Sequence, residues 1–475
     1  MLSKQYIERL KQKRCVYLNG ALIEDVSKES MFEGAVKKIV EYYDLQQKEP
    51  EVFTFSDSEG QHPISLMLPK SRSDLKKKRI AYKRIADLSF GMLGRTPDFI
   101  NAALTAMMAN AHILGIGEYA NYSRNAVNYY NYCKLNNLFV GHGAVNPQID
   151  RSKALGQQDG THAGVKVIAW NSDGIVVSGA KMIVTLAPIA DELLIFNMPG
   201  LREGDEDYAI AFALPLIAKG VRLLCRKALI KEQYTDFDHP IANKFDEIDA
   251  YLILDQVDIP WEKVFVFRDV KKSNEFYDKT KARNHTGHQG IIRGLAKAEL
   301  LTGVAIELAN KIGSATFLNV QEQLGELTSS IELVRGAILL SEDDADIDDN
   351  GIYNPSIQAI QAIRYYFPKW YQRMVTIIQS LAAGSMLAVP HSGDFTNDNA
   401  NFIGTALKSP LMSAEYRCVL LNLAWDLSGD AFGQRQLVYE IYHAGDPARI
   451  AAGHFFNYKK ENMEKNVHNI LGAVL

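Results

Sequence analysis

The sequence predicts an α+β multidomain chain: a helical segment, then a β-rich segment, then a second helical segment. Three observations lead there. Before about residue 140 apolar residues recur at three- and four-residue spacing; from 141 to 270 short β-branched runs alternate with turn chemistry; from 271 to 475 long amphipathic stretches take over. The domain reading is therefore 1–140, 141–270 and 271–475. With 475 residues, 47% hydrophobic and 23% charged, the chain has the balance of a globular protein, which removes disordered, collagenous and coiled-coil alternatives.

In the first segment, PDFINAALTAMMANAHIL places Phe99, Ala102, Ala103, Met107 and Ala111 on one helical face. Pro97 suits the first turn because its missing N–H would be unpaired there, and Thr96 is the expected N-cap. Arg95 then projects at the mouth of the helix. In the second segment, Asn171-Ser172-Asp173-Gly174 lies between two β-branched runs and predicts a hairpin within a compact antiparallel β domain. In the third, HQGIIRGLAKAELLTGVAIELANKIG, NVQEQLGELTSSIELVRGAILLSEDD and PSIQAIQAIRYYFPKWYQRMVTIIQSLAAGSML are long enough to form a bundle.

Charge and cysteine usage narrow the function classes. The net charge of −4 carries no basic footprint, so no nucleic-acid partner is expected. Cys15, Cys133, Cys225 and Cys418 are dispersed, with no C-x-x-C pair, which argues against structural zinc, iron–sulfur clusters and a disulfide framework. The charged start MLSKQYIERLKQKR lacks the apolar core of a signal peptide, and no window gives about 18 uninterrupted apolar residues. A cytoplasmic protein with no membrane partner is expected.

Several motifs have plain readings. Gly115-Ile116-Gly117-Glu118-Tyr119-Ala120 has the G-x-G-x-x-A spacing of a dinucleotide site but follows a helical run where a strand is required. The acidic run from Glu342 to Asp349 lacks the glycine and closing glutamate of a calcium loop and reads as a solvated helix–helix connection. His285 and His288 have no carboxylate or thiol partner nearby in sequence and read as satisfied or solvent-facing, with no metal assigned. Two segments are less easily dismissed. Gly141 to Arg151 brings a histidine, an amide-rich turn and an arginine to a helix-to-strand junction, and Ala444 to Arg449 puts a Gly-Asp-Pro turn before a helix, where backbone amides can bind an anion. On physics alone each reads equally as a structural turn.

The segments GRTPDF (94–99), VNPQIDR (145–151), SGAKMIVTLAPIADE with Thr185, VDIPWE (257–262) and GDPAR (445–449), in order along nearly the whole chain, resemble the 4-hydroxyphenylacetate 3-monooxygenase oxygenase component family. That family also contains chlorophenol monooxygenases and 4-hydroxybutyryl-CoA dehydratase. The resemblance implies an acyl-CoA-dehydrogenase-like fold with a helical N-terminal domain, a central antiparallel β-barrel and a C-terminal four-helix bundle, in a homotetramer. It implies an oxygenase that takes FAD as FADH2 from a separate NAD(P)H-dependent flavin reductase. With O2 as co-substrate, a C4a-hydroperoxyflavin then hydroxylates a small phenolic substrate ortho to its hydroxyl. In the dehydratase branch a cluster requires cysteines at the positions of Phe99 and Ala103, and their absence disfavours it. An acyl-CoA-dehydrogenase-like flavin dehydrogenase and a non-catalytic ligand-binding relative are the alternatives.

Carried over by the same resemblance, Arg95 and His142 are the catalytic pair at the phenol oxygen, where a cation and an imidazole favour phenolate character. Phe99 stands where phenylacetate hydroxylases carry tyrosine. Asn197 and Met198 stand where they place small hydroxylated residues for the substrate carboxylate. From these two departures a less polar pocket and a neutral para substituent are expected. For the cofactor, the resemblance points to His142, to Gln148, Ile149, Asp150 and Arg151, to Thr185 near the flavin N5 edge, and to Gly445, Asp446, Pro447 and Ala448.

Overall fold

The computed structural model describes residues 1–475 except Arg151, 159–162, Glu232 and Leu475. The helix expected after Arg95 runs Pro97–Ala109, with Pro97 in its first turn and Thr96 at the N-cap in extended backbone, although the threonine side chain makes no capping bond. It stops short of Leu114, because Asn110 leaves helical geometry and a separate 3₁₀ turn spans Ala111–Leu114. Every residue from Pro97 to Met107 is buried, more than one amphipathic face, because the helix crosses the interior against the Ala282–Ile312 helix. Elsewhere the helix starts are set locally: Ser71 and Asn121 accept from the N–H groups of Asp74 and Arg124, satisfying first-turn donors.

Two sheets form the middle of the molecule. The larger is ordered Ala21–Ile23, Val16–Leu18, Val221–Cys225, Asp249–Pro260, Gly174–Thr185, Lys166–Trp170; the smaller Val264–Val266, Ala211–Pro215, Glu192–Ile195, Val140–Gly143. The expected hairpin is present, with the Asn171 side chain accepting from the N–H groups of Asp173 and Gly174. The expected closed antiparallel barrel is not. Closure needs a continuous ladder between edge strands, and among the described residues the two sheets are linked only by the single bridge Val145–Met182. Nor is the pairing wholly antiparallel: Val16–Leu18 runs parallel to Val221–Cys225, and Val140–Gly143 parallel to Glu192–Ile195. Strands from the helical first segment thus complete the central sheet. The N-terminal helix Leu2–Leu10 is fastened beside it, with the Tyr6 hydroxyl donating to the Ile189 carbonyl at 2.9 Å and Arg9 paired with Asp191.

Three long helices, Ala282–Ile312, Leu318–Asp343 and Ile357–Ala382, pack on one another, and Ala414–Ser428 joins them. The acidic run is only partly solvated. Asp346–Ile347 pairs with Tyr353–Asn354, whereas Glu342 turns inward to Arg79 and to His288 Nε2, 2.9 Å away. His285 is likewise buried, on Asn354 Oδ1. Among the described residues no helix is long and apolar enough to cross a membrane.

Candidate functional site

Where the first helical segment, the smaller sheet and the long helices meet, a cavity of about 160 Å³ opens. Arg95, Phe99, His142, Met198 and Gly445 all line it. Arg95 arrives from the turn before the Pro97–Ala109 helix. That turn is anchored from below: the buried Glu247 carboxylate accepts from the N–H groups of Gly94 (2.5 Å) and Arg95 (2.9 Å), and is itself paired with Arg435 at 3.0 Å. The Arg95 guanidinium lies 4.1 Å over the Phe99 ring and donates to the Tyr439 hydroxyl oxygen at 2.7 Å. Gly94 is required here, since a Cβ on it would fall 1.9 Å from the Tyr439 oxygen.

His142 comes from the Val140–Gly143 strand, in register with Leu194. Its ring faces Phe99 at 5.5 Å and stacks toward Phe196. Burial, and then the nearby Arg95 charge, push its pKa down to about 3, so the imidazole is neutral across the physiological range. Its Nδ1 is buried without a hydrogen-bond partner in the protein. An orphaned ring nitrogen at a cavity wall fits a ligand that completes it.

The other expected residues divide. Asn197 is behind the wall: its Oδ1 accepts from Lys181 at 2.8 Å and its Nδ2 donates to the Tyr208 carbonyl at 2.7 Å. Thr185 is buried at the end of its strand and donates to Asp249 Oδ1 at 2.7 Å. Gln148 and Ile149 are exposed on the loop after Val145, and Asp150 accepts there from Ser152. Arg151 lies outside the described residues. Gly445 has φ +118°, which places Asp446 at the N-cap of the Pro447–Asn457 helix. At that helix start Asp446 caps the Arg449 N–H with its own carboxylate and Pro447 has no N–H, which leaves the Ala448 N–H as a first-turn donor for an anion.

The sequence did not single out the cations on the far side of the cavity. Arg283, Arg293 and Arg364 line it together with Tyr277 and the Tyr442–Gly445 turn. Arg293 and Lys297, four residues apart on the buried face of the Ala282–Ile312 helix, close on Glu440, a spacing that marks an inward-facing ion network. Burial alone would raise the Glu440 carboxyl, yet Arg293 and Lys297 hold it below the usual carboxylate range. The pocket is more cationic than Phe99 and Met198 alone suggest.

These features define a class of large α+β protein in which helices from both ends of the chain clasp two sheets around a largely apolar cavity edged by arginines. Residues 3–266 match the family described as 4-hydroxyphenylacetate 3-hydroxylase N terminal, and 273–472 match 4-hydroxyphenylacetate 3-hydroxylase C terminal. The chain belongs to the 4-hydroxyphenylacetate 3-hydroxylase family. It is 34% identical to the 4-hydroxyphenylacetate 3-monooxygenase oxygenase component of Thermus thermophilus, over 98% of this chain and 96% of that protein. A crystal structure of such an oxygenase component complexed with FAD and 4-hydroxyphenylacetate superposes with a TM-score of 0.94 at 34% identity, covering 99% of this chain and 98% of that one. An archaeal 4-hydroxybutyryl-CoA dehydratase from N. maritimus shares the fold at a TM-score of 0.89 and 21% identity, covering 100% of this chain and 95% of its own.

Proposed function

We propose that this chain is the oxygenase component of a two-component flavin-dependent monooxygenase that hydroxylates a phenol ortho to its hydroxyl group. The observation that carries the reading is the convergence of the Arg95 guanidinium and a neutral His142 beside Phe99 in one cavity. The balanced reaction is phenol, O2 and FADH2 giving catechol, water and FAD. Reduced FAD, when bound, supplies the two electrons that activate O2. The chain's own residues prepare the aromatic partner. Arg95 lowers the phenol's pKa and draws electron density to its oxygen, while the neutral His142 accepts or donates a hydrogen bond there and fixes the ring's orientation. An imidazole with a pKa near 3 does not retain the proton, so His142 orients the phenol rather than storing its charge.

In this reading Gln148, Ile149, Asp150, Thr185 and the Gly445–Ala448 turn, with Arg151, hold the flavin, and a separate NAD(P)H-dependent reductase reduces it. The unclosed pair of sheets and the long helices correspond to the acyl-CoA-dehydrogenase-like arrangement. A homotetramer in the cytoplasm completes the picture. Apolar side chains left open on the outer helices, including Leu333, Leu339, Leu340, Phe455 and Phe456, support self-association. A flavin dehydrogenase would place a carboxylate base at the substrate, and among the described residues lining the cavity there is no aspartate or glutamate. No cysteine lines it either, which disfavours a cluster-bearing dehydratase.

The test is a single turnover of protein mixed anaerobically with FADH2 and then exposed to isotopically labelled O2 and a phenol. Catechol carrying one labelled oxygen is expected. Oxidation of the flavin with no label in any aromatic product, across a panel of phenols, overturns the reading.

A further inference from the structure

The charges around the cavity do not balance. Of its four arginines, Arg293 is matched by Glu440, and Arg283 is paired with Asp278 while lying against the Tyr277 ring. Among the described residues neither Arg95 nor Arg364 has a carboxylate partner. A phenol whose oxygen takes on negative charge answers Arg95. Among the described residues Arg364 has only the more distant influence of Asp278, whose carboxylate is paired with Arg283.

Arg364 projects from the Ile357–Ala382 helix. Its Nη1 donates to Gln361 Oε1 at 2.7 Å and its Nη2 to the Ala444 carbonyl, both neutral acceptors. A guanidinium has five N–H donors, so three remain for a ligand. The two contacts also fix the plane of the group, and the Ala444 contact ties it to the turn that covers the cavity. A planar donor fork held in place by neutral acceptors is suited to a carboxylate, which it can engage through two parallel hydrogen bonds.

The side chains at the positions that the family resemblance offers for a substrate carboxylate do not present free donors. Both Asn197 amide hydrogens are spent on the carbonyls of Tyr208 and Ile210, and its oxygen on Lys181. Met198 lines the cavity, but its side chain has no donor.

Resting on the phenol hydroxylase reading, we propose that Arg364 is the specificity-determining residue of this enzyme, receiving an anionic group carried by the phenol's side chain in place of Asn197 and Met198. The neutral para substituent expected from Phe99 and Met198 is thereby replaced by an acidic one. The burial that Arg364 endures without an acid partner, which lowers its pKa to about 10, is relieved when such a substrate binds.

The test uses the full chain with excess generic flavin reductase and matched acid–amide pairs: 4-hydroxyphenylacetate with its amide, and 3-(4-hydroxyphenyl)propanoate with its amide. The wild type is expected to favour the better-fitting acid over its amide in kcat/KM by roughly tenfold or more, mainly through KM, as a charge-assisted hydrogen bond provides. In Arg364→Gln the ratio falls toward one, and Arg364→Lys keeps part of it. A wild-type ratio of one or less for both pairs overturns the proposal without any variant, so misfolding of Arg364→Gln cannot shelter it. A preference that survives in folded Arg364→Gln also overturns it. So does a weakened FADH2 affinity in that variant, measured by equilibrium titration, because the anion answered by Arg364 is then the cofactor's. If both acids and amides are hydroxylated without preference, only this assignment fails; if no phenol is hydroxylated, the function itself fails.

Discussion

Arg95 and Tyr439, 344 residues apart in the chain, share a 2.7 Å hydrogen bond in which the guanidinium donates to the phenolic oxygen. Burial raises the pKa of Tyr439 to about 12, so this acceptor stays protonated and neutral. The bond leaves Arg95 its full charge while fixing its direction.

Tyr439→Phe removes the acceptor and keeps the ring. Arg95 then retains only the carbonyls of Gly94 and His443, and product formed per O2 consumed is expected to fall several-fold, with hydrogen peroxide making up the difference. Stability changes by about 1 kcal/mol, the worth of one such hydrogen bond. Arg95→Ala is expected to give almost no product and nearly complete diversion to peroxide. Catechol and peroxide assays on the same samples decide this, and an unaltered product-to-oxygen ratio in Tyr439→Phe refutes the anchoring role.

Gly94→Ala tests the same junction by crowding. The new Cβ lands 1.9 Å from the Tyr439 oxygen and 2.5 Å from its Cζ, so the tyrosine or the turn must move. A destabilisation of about 1–3 kcal/mol is expected, as for other overpacked interiors, with a lower melting temperature. Combining it with Tyr439→Ala, which vacates the space, should cost less than the sum of the two single changes.

Phe99→Tyr restores a hydroxyl beside the phenol site. With the ring in contact with Arg95 and beside His142, the added donor should strengthen phenol binding by about 1 kcal/mol, seen as a roughly fivefold lower KM. An unchanged or higher KM in a folded variant means that the hydroxyl points away from the substrate.

His142 also leaves a signature in pH. Its folded-state pKa of about 3 lies below the ordinary value of 6.5, so on acidification the unfolded chain takes up the proton first. The associated stability is fully present above pH 6.5 and is lost as pH falls toward 3. His285, depressed in the same way by burial, adds to the effect. Melting temperatures of wild type and His142→Gln measured from pH 8 to pH 4 should converge as pH falls, because the variant lacks one of the two groups. A wild-type activity profile with an inflection near 6.5 that disappears in the variant contradicts the neutral assignment.

The sequence was most informative where local chemistry decides structure. Pro97 marked a helix start, Asn171 to Gly174 marked a hairpin, and the three long amphipathic stretches became the three long helices. Arg95, Phe99 and His142 meet at one cavity. What was not legible depends on contacts between distant parts of the chain. Nothing near Val16 shows that it pairs with Leu223, so the sheet looked like a property of residues 141–270 alone. Glu342, read as solvated within its acidic run, finds Arg79 and His288 only after folding. Arg364 sits on a helix rich in aromatic residues, and only the tertiary structure reveals that no carboxylate meets it.

The parallel pairing of Val16–Leu18 with Val221–Cys225 bears on how the protein is made. At translation rates of about 5–20 residues per second, the first strands wait on the order of 10–45 s for their partner. Until then Val16 and Leu18, buried in the finished molecule, have only the short Ala21–Ile23 strand beside them. A gene fragment ending before residue 221 should yield insoluble product, even though it encodes Arg95, Phe99 and His142 in full.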